Sequence, residues 1–245
     1  MDKISDYSSK GNSSSTGLCS SDCKICGGSG WIRREREKTD PAFGSLELCP
    51  NVDPFRIYGE KSGLDKAEYF LRWEKILKVN NIDDAIQILK KVLKNGFGLV
   101  YLHGANGLGK TLLLQTFTAE SIRLRIKSKY STMANILEEL RAAYSDEQPY
   151  GEFSRRSKFY CEVPVLCIDE FDRIKLTEFA VEKIQSIIDA RYRSAMNRES
   201  ITIIASNEQP SKYPAYIANR FYDGRTYIIE MKGNSVRPNI PRDER

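Results

Sequence analysis

The apolar positions of the chain fall into three regimes. Residues 1–17, MDKISDYSSKGNSSSTG, carry almost no apolar side chains and are expected to be disordered. Residues 18–63 hold only scattered apolar residues among Cys, Gly and Pro, and NVDPFRIYGEKSG (51–63) reads as a linker broken by Pro54, Gly59 and Gly63. From residue 64 onward the pattern becomes periodic. Leu64, Ala67, Leu71, Trp73 and Ile76 predict a helix over 64–80. Ile82, Ala85, Ile86, Leu89, Val92 and Leu93 predict a second over 82–94, with Asp83 and Asp84 in its first turn and Asn95-Gly96 as its stop.

Strand and helix patterns then alternate. Leu99–Leu102 reads as a strand, and the helix after it is expected to run to about Lys127. Tyr130–Met133 is a weak strand, 134–144 a helix, 145–151 a loop with Pro149 and Gly151, and 153–160 a basic helix. Residues 163–168 form a run that suits a strand buried on both faces. Residues 176–193 are an amphipathic helix, 201–205 another buried strand, 214–221 a short helix and 226–231 a last strand. Pro238, Pro241 and several charges make 233–245 a loose tail. The β-α alternation across 96–231 predicts an α/β fold, a parallel sheet of about five strands with helices on both faces. The expected organisation is a tail (1–17), a small Cys-rich module with linker (18–63), a main domain (64–232) and a C-terminal tail (233–245).

Composition narrows the class. With 40% hydrophobic and 29% charged residues among 245, the chain reads as a soluble globular protein. No run approaches the roughly 18 apolar residues of a membrane span, and the N-terminus lacks the apolar core of a signal peptide, so the expected location is the cytoplasm with no membrane partner. A net charge of +5 permits a polyanionic partner without requiring one. His103 is the only histidine, which excludes a His dyad or a His-rich metal site and leaves it as a strand-end residue.

Chemistry concentrates at Gly104–Thr111, GANGLGKT, which matches G-x-x-x-x-G-K-[ST] at every fixed position. A strand runs in and a helix runs out, the context in which backbone N–H groups and a helix N-terminus cradle phosphate oxygens. Gly104, Ala105, Asn106, Gly107, Leu108, Gly109, Lys110, Thr111 and Leu112 are thus expected to line a nucleotide site. Lys110 would reach the β- and γ-phosphates and Thr111 would hold Mg²⁺. Asp169 and Glu170 close the apolar run 163–168. Open α/β sheets place their chemistry at the C-terminal ends of strands. Asp169 would help hold Mg²⁺, and Glu170 would orient and polarise the attacking water. Asn207 follows the strand 201–205 and would hydrogen-bond the γ-phosphate or that water if the two strands are neighbours. Arg220 and Arg225 are candidates for the arginine that neutralises transition-state charge. An arginine so late in the chain could serve a neighbouring subunit's nucleotide.

Four of the six cysteines lie in the first 49 residues. Cys23 and Cys26 form a C-x-x-C followed by two glycines, and Cys19 and Cys49 complete the four thiolates a structural zinc wants. So small a module has too few apolar residues to fold without metal.

As an ordered set, these residues resemble the AAA+ ATPases of the DnaC/DnaI-type helicase-loader group, with the related IstB transposition ATPases. GANGLGKT is similar to the family's Walker A, LCIDEFD to Walker B, and IIASNEQP to the sensor-1 strand. IDARYRS resembles the helix ending in Arg-Tyr, and GNSVR, ending at Arg237, the closing motif. IANRFYDGR resembles the segment with the arginine finger and maps that role to Arg220. CKICGGSGW…LCP looks like the zinc-binding head of DnaI-like loaders. The resemblance implies a P-loop AAA+ core binding ATP with Mg²⁺, with Zn²⁺ in the head. It also implies a DnaB-type hexameric helicase and single-stranded DNA as partners, and a homo-oligomer when ATP is bound. An IstB-like transposition helper binding duplex DNA, a P-loop small-molecule kinase and a nucleotide-dependent scaffold are the alternatives. Glu170 argues against the kinase, because a water-activating carboxylate suits hydrolysis.

Overall fold

Residues 18–76, 81–144 and 151–235 are described by a computed structural model of the chain, and they divide into two units, 1–60 and 61–245. The expected disorder of 1–17, the end of the helix expected over 64–80, the Pro149 loop and the tail beyond residue 235 with Arg237 fall outside the described residues.

In the first unit, Trp31–Arg33 (β1) and Leu46–Leu48 (β2) pair antiparallel, with Trp31 opposite Leu48. Asp53 accepts the Phe55 N–H and caps a one-turn helix, Pro54–Tyr58 (α1), with Pro in its first turn. The segment 51–63 is therefore not plain linker: Val52 is buried and Ile57 packs beside it. The buried cluster among the described residues is Cys23, Ile32, Cys49 and Val52, too few apolar residues to hold so small a unit by burial alone.

The second unit corrects two helix boundaries. Over 64–76 the chain forms two 3₁₀ turns, Glu68–Phe70 and Trp73–Lys75, and not a continuous helix. Leu71 and Arg72 are extended between them. The physical reason is tertiary: the Arg123 guanidinium donates to the carbonyls of Tyr69 and Leu71, which a helix would have used internally. Trp73 and Ile76 are still buried in the core; the apolar spacing marked burial, not period. Ile82–Asn95 (α2) ends where Gly96 turns left-handed at φ 80° and donates to the carbonyls of Val92 and Leu93. Gly98–His103 (β3) leads to Lys110–Arg123 (α3), which stops four residues before the expected Lys127. Arg125 takes φ 63° and Ile126 donates back to the Ser121 carbonyl, closing the helix. Arg123 also pairs with Glu120 at 3.1 Å.

The remaining elements are Ser128–Thr132 (β4), Met133–Ala143 (α4), Glu152–Glu162 (α5), Val165–Asp169 (β5), Glu178–Met196 (α6), Ile201–Ser206 (β6), Ala215–Tyr222 (α7) and Tyr227–Glu230 (β7). The five strands form one parallel sheet in the order β4-β5-β6-β3-β7. Val100 lies opposite Ile203 on one side and Tyr227 on the other. Both faces are covered, as continuous apolar strands require. On one face Leu89, Leu113 and Phe117 meet Val100, Cys167 and Ile203. On the other Ile136, Leu140, Ile184 and Ile188 meet Tyr101, Ile168 and Ile204. This is a parallel α/β sheet with the phosphate loop leaving its β3 strand and helices on both faces. It brings the C-terminal ends of β3, β5 and β6 side by side, and loops there form the crevice of an open α/β sheet.

Candidate functional site

The loop leaving β3 owes its shape to glycine. Gly104 has φ 144°, and a Cβ there would fall 2.3 Å from the Met231 carbonyl oxygen. Gly109, at φ 85°, precedes the first turn of α3 and has no side chain to cap it. The helix N-terminus therefore opens into a cavity of about 280 Å³. The cavity is lined by Asn106–Leu112 and Gln115, by Asp169, Glu170, Asp172 and Arg173 after β5, and by Ala205, Ser206 and Asn207 at the end of β6. Gly104 and Ala105 sit at its edge through their carbonyls, which accept from Lys110 Nζ at 2.6 and 2.9 Å.

Two of the expected residues meet directly. Lys110, only 8% exposed, also donates to Asn207 Oδ1 at 3.0 Å. Asp169 is buried at the end of β5; it accepts from the Tyr130 hydroxyl at 3.0 Å and from the Glu170 N–H at 2.8 Å. Burial, with Asp169 next in effect, raises the Tyr130 hydroxyl above its usual range, so it acts as a donor. Thr111 and Asp169 face the same cavity with hard oxygen donors, the set that suits Mg²⁺. Glu170 has φ 50°, a left-handed backbone that side-chain-bearing residues rarely adopt. Its carboxylate is held by Arg173 at 2.8 Å, and the same guanidinium reaches Asn106 Oδ1 at 3.2 Å.

Two residues at this site had no role in the sequence reading. Asp172 accepts from the Asn207 backbone N–H at 2.8 Å and from its Nδ2 at 2.9 Å. Burial works to raise its carboxyl, but the two donors of Asn207, with its own N–H and the Ser206 hydroxyl, together hold the group below the usual range. Arg173 joins the β5 turn to the phosphate loop. The available signal was their place in DEFDR, directly after a strand end.

Neither Arg220 nor Arg225 lines the cavity. Arg220 pairs with Asp189 at 2.6 Å and lies over the Tyr192 ring at 5.1 Å. Arg225 pairs with Asp223 at 2.9 Å. His103 is buried at the end of β3, and burial lowers its pKa.

In the first unit the fold gathers Cys19, Cys23, Cys26 and Cys49, whose sulfurs all lie within 4.8 Å of one another. Cys23 and Cys49 Sγ are 3.7 Å apart, close to the ~3.8 Å between ligands of a tetrahedron with Zn–S of about 2.3 Å. The Gly30 N–H donates to Cys26 Sγ at 3.3 Å and Asn51 Nδ2 to Cys23 Sγ at 3.4 Å. Backbone N–H groups of Cys26 and Ile25 bring the Cys23 thiol down to about 6, while burial and the neighbouring thiols push Cys19 up to about 12. The four sulfurs fit a closed structural zinc site.

Comparison with known proteins adds the following. Residues 94–220 match the family model of the IstB-like ATP binding protein. Among solved structures, the DnaC helicase loader superposes with a TM-score of 0.56 at 20% identity, covering 69% of this chain and 100% of that one. DnaI superposes with a TM-score of 0.55 at 18% identity, covering 70% and 93%. AMPPCP-bound DnaA from Aquifex aeolicus gives a TM-score of 0.56 at 21% identity, covering 69% of this chain and 53% of that one. The chain thus spans about half the length of that DnaA. No curated protein matches the sequence.

Proposed function

Because the chain belongs to the IstB-like ATP-binding protein family, we propose that it is an ATP-hydrolysing loader of a DnaB-type replicative helicase onto single-stranded DNA. The observation that carries the reading is one cavity in which Lys110 and Asn207 share a hydrogen bond beside Asp169 and Glu170. Residues Gly104–Leu112 would enclose the triphosphate, and Lys110 would exchange its loop carbonyls for the β- and γ-oxygens. Thr111 and Asp169 would hold Mg²⁺, which when bound neutralises charge developing between the β- and γ-phosphates. Glu170, released from Arg173, would orient the attacking water and take its proton. The helicase-loader part draws on the cysteine-bearing unit ahead of the ATPase core and on the likeness of that core to the DnaC helicase loader and DnaI.

Arg220 lies outside the cavity of its own chain, which suits an arginine that completes a neighbour's site in an ATP-bound homo-oligomer. The expected result is phosphate release per molecule that rises with protein concentration and with single-stranded DNA. Arg220→Ala is expected to abolish that rise while leaving nucleotide affinity within about threefold. A rate per molecule that is flat with concentration, or an Arg220→Ala variant that keeps the rise, contradicts the assembly reading.

The first unit would use its four thiolates to hold one Zn²⁺. Purified protein is expected to contain one zinc per chain by elemental analysis. Cys49→Ser is expected to lose the metal and to make residues 18–60 the first site of limited proteolysis. Zinc-free wild-type protein with a protease-resistant first unit is the opposite result.

A further inference from the structure

Asp172 sits where the turn after β5 meets the end of β6, and both of its oxygens are taken up by Asn207. That matters because a side-chain amide has two unlike ends. With Nδ2 committed to Asp172, the amide oxygen is turned onto Lys110 Nζ at 3.0 Å. Rotated by half a turn, the NH₂ group would face an ammonium and the carbonyl would face a carboxylate, two repulsive contacts in place of two attractive ones. The Asn207 backbone N–H on the same carboxylate fixes the hinge about which the side chain would otherwise turn.

We propose that Asp172 is a positioning residue that locks the Asn207 amide with its oxygen toward the reacting end of the cavity, so that Asn207 serves as a hydrogen-bond acceptor for the attacking water. This deepens the hydrolytic reading above and rests on it. Phosphate oxygens offer only lone pairs, and so does Asn207 Oδ1; the two have no hydrogen to share. Water has two. When Lys110 turns to the phosphates, Oδ1 accepts one hydrogen of the water and the Glu170 carboxylate accepts the other. The water oxygen bonds to the γ-phosphorus, the bond from the γ-phosphorus to the β–γ bridging oxygen breaks, and the proton passes to Glu170. ADP and inorganic phosphate result. Asp172 touches none of the reacting atoms; it acts through Asn207.

The test is a pair of single variants and their combination. In Asp172→Asn one of the two Asn207 donors meets another donor. The kcat is expected to fall about tenfold or more, with nucleotide Kd within about threefold and the melting temperature little changed. Asn207→Asp sets two carboxylates against each other and is expected to fall at least as far. Combining the two substitutions reverses the pair. The amide now at position 172 donates to the carboxylate now at position 207 and accepts the backbone N–H of that residue. The second carboxylate oxygen at 207 stands where the amide oxygen stood. The double variant is expected to recover kcat at least fivefold over either single, with the cost of moving the charge from position 172 to 207 confined to KM, a pattern that only pairing produces. A kcat in Asp172→Asn within about twofold of wild type, or a double variant no faster than both singles, overturns the proposal.

A second readout does not need turnover. The Asn207 side-chain NH₂ is expected to give two separated, exchange-protected proton signals by NMR, which move to solvent-exposed values in Asp172→Ala, where both acceptor oxygens are gone. Unchanged signals overturn the lock. Wild-type protein that releases no phosphate from ATP while those signals respond instead overturns the hydrolytic reading.

Discussion

Glu170→Gln is expected to lower ATP turnover by roughly 10²–10⁴-fold while the nucleotide stays bound. The substitution keeps the size of the side chain and removes only the carboxylate proposed to orient water and accept its proton. The groups proposed to bind the nucleotide are others lining the same cavity: the loop, Lys110 and the oxygens of Thr111 and Asp169. The same change also weakens the Arg173 contact that now engages Glu170, so a glutamine would release the guanidinium toward the phosphates. Affinity for ATP is therefore expected to hold or rise. Lys110→Ala is the contrasting case: it removes the cation and is expected to lose binding together with turnover. Equilibrium binding of a fluorescent ATP analogue beside single-turnover phosphate release separates the two. Turnover in Glu170→Gln within about tenfold of wild type would assign water activation to another group.

Arg191→Ala is expected to cost about 3–5 kcal/mol of stability. Arg191 is the largest fully buried side chain among the described residues. It bonds Thr202 Oγ1 at 2.7 Å and the carbonyls of Cys161, Val163 and Ile201. One guanidinium thus ties the end of α5, the approach to β5 and the start of β6. Burial lowers its pKa to about 10, which leaves it charged at neutral pH. Alanine would leave those acceptors without their donor and open a cavity. Lysine has one ammonium and cannot replace the planar fork. For a domain of this size the melting temperature is expected to drop by about 10 °C or more. Methionine, which fills the volume but donates nothing, is expected to recover only part of the loss. Calorimetry of the three variants checks the order, and an Arg191→Ala melting point within about 2 °C of wild type contradicts it.

Much of the core was legible because its signals are local. GANGLGKT needs no partner from elsewhere in the chain to be read, and Asp169 and Glu170 announce themselves by closing an apolar run. The strand-helix alternation over 96–231 sufficed for a five-stranded parallel sheet. What was missed depends on neighbours distant in sequence. Asp172 and Asn207 are 35 residues apart and meet only because β5 lies beside β6. Arg191 stands out in sequence only as the Arg of the Arg-Tyr pair in IDARYRS, and nothing nearby marks its carbonyl partners in the adjoining elements. The helix expected over 64–80 failed for the same kind of reason, since Arg123 takes carbonyls that its own turn would have used. The cysteines were halfway between. Spacing marked Cys19, Cys23 and Cys26, while Cys49, distant in sequence, is brought to them by the β1–β2 hairpin that it follows.

The loader reading is tested most directly by transfer of a helicase. The full chain is mixed with a purified DnaB-type replicative helicase, circular single-stranded DNA and ATP, and helicase bound to the circles is measured after removing free protein. The account predicts helicase on the circles with wild-type protein and ATP, and background levels with Lys110→Ala or without nucleotide. Wild-type protein that neither binds the helicase nor raises its retention on the circles, while still hydrolysing ATP, would contradict it.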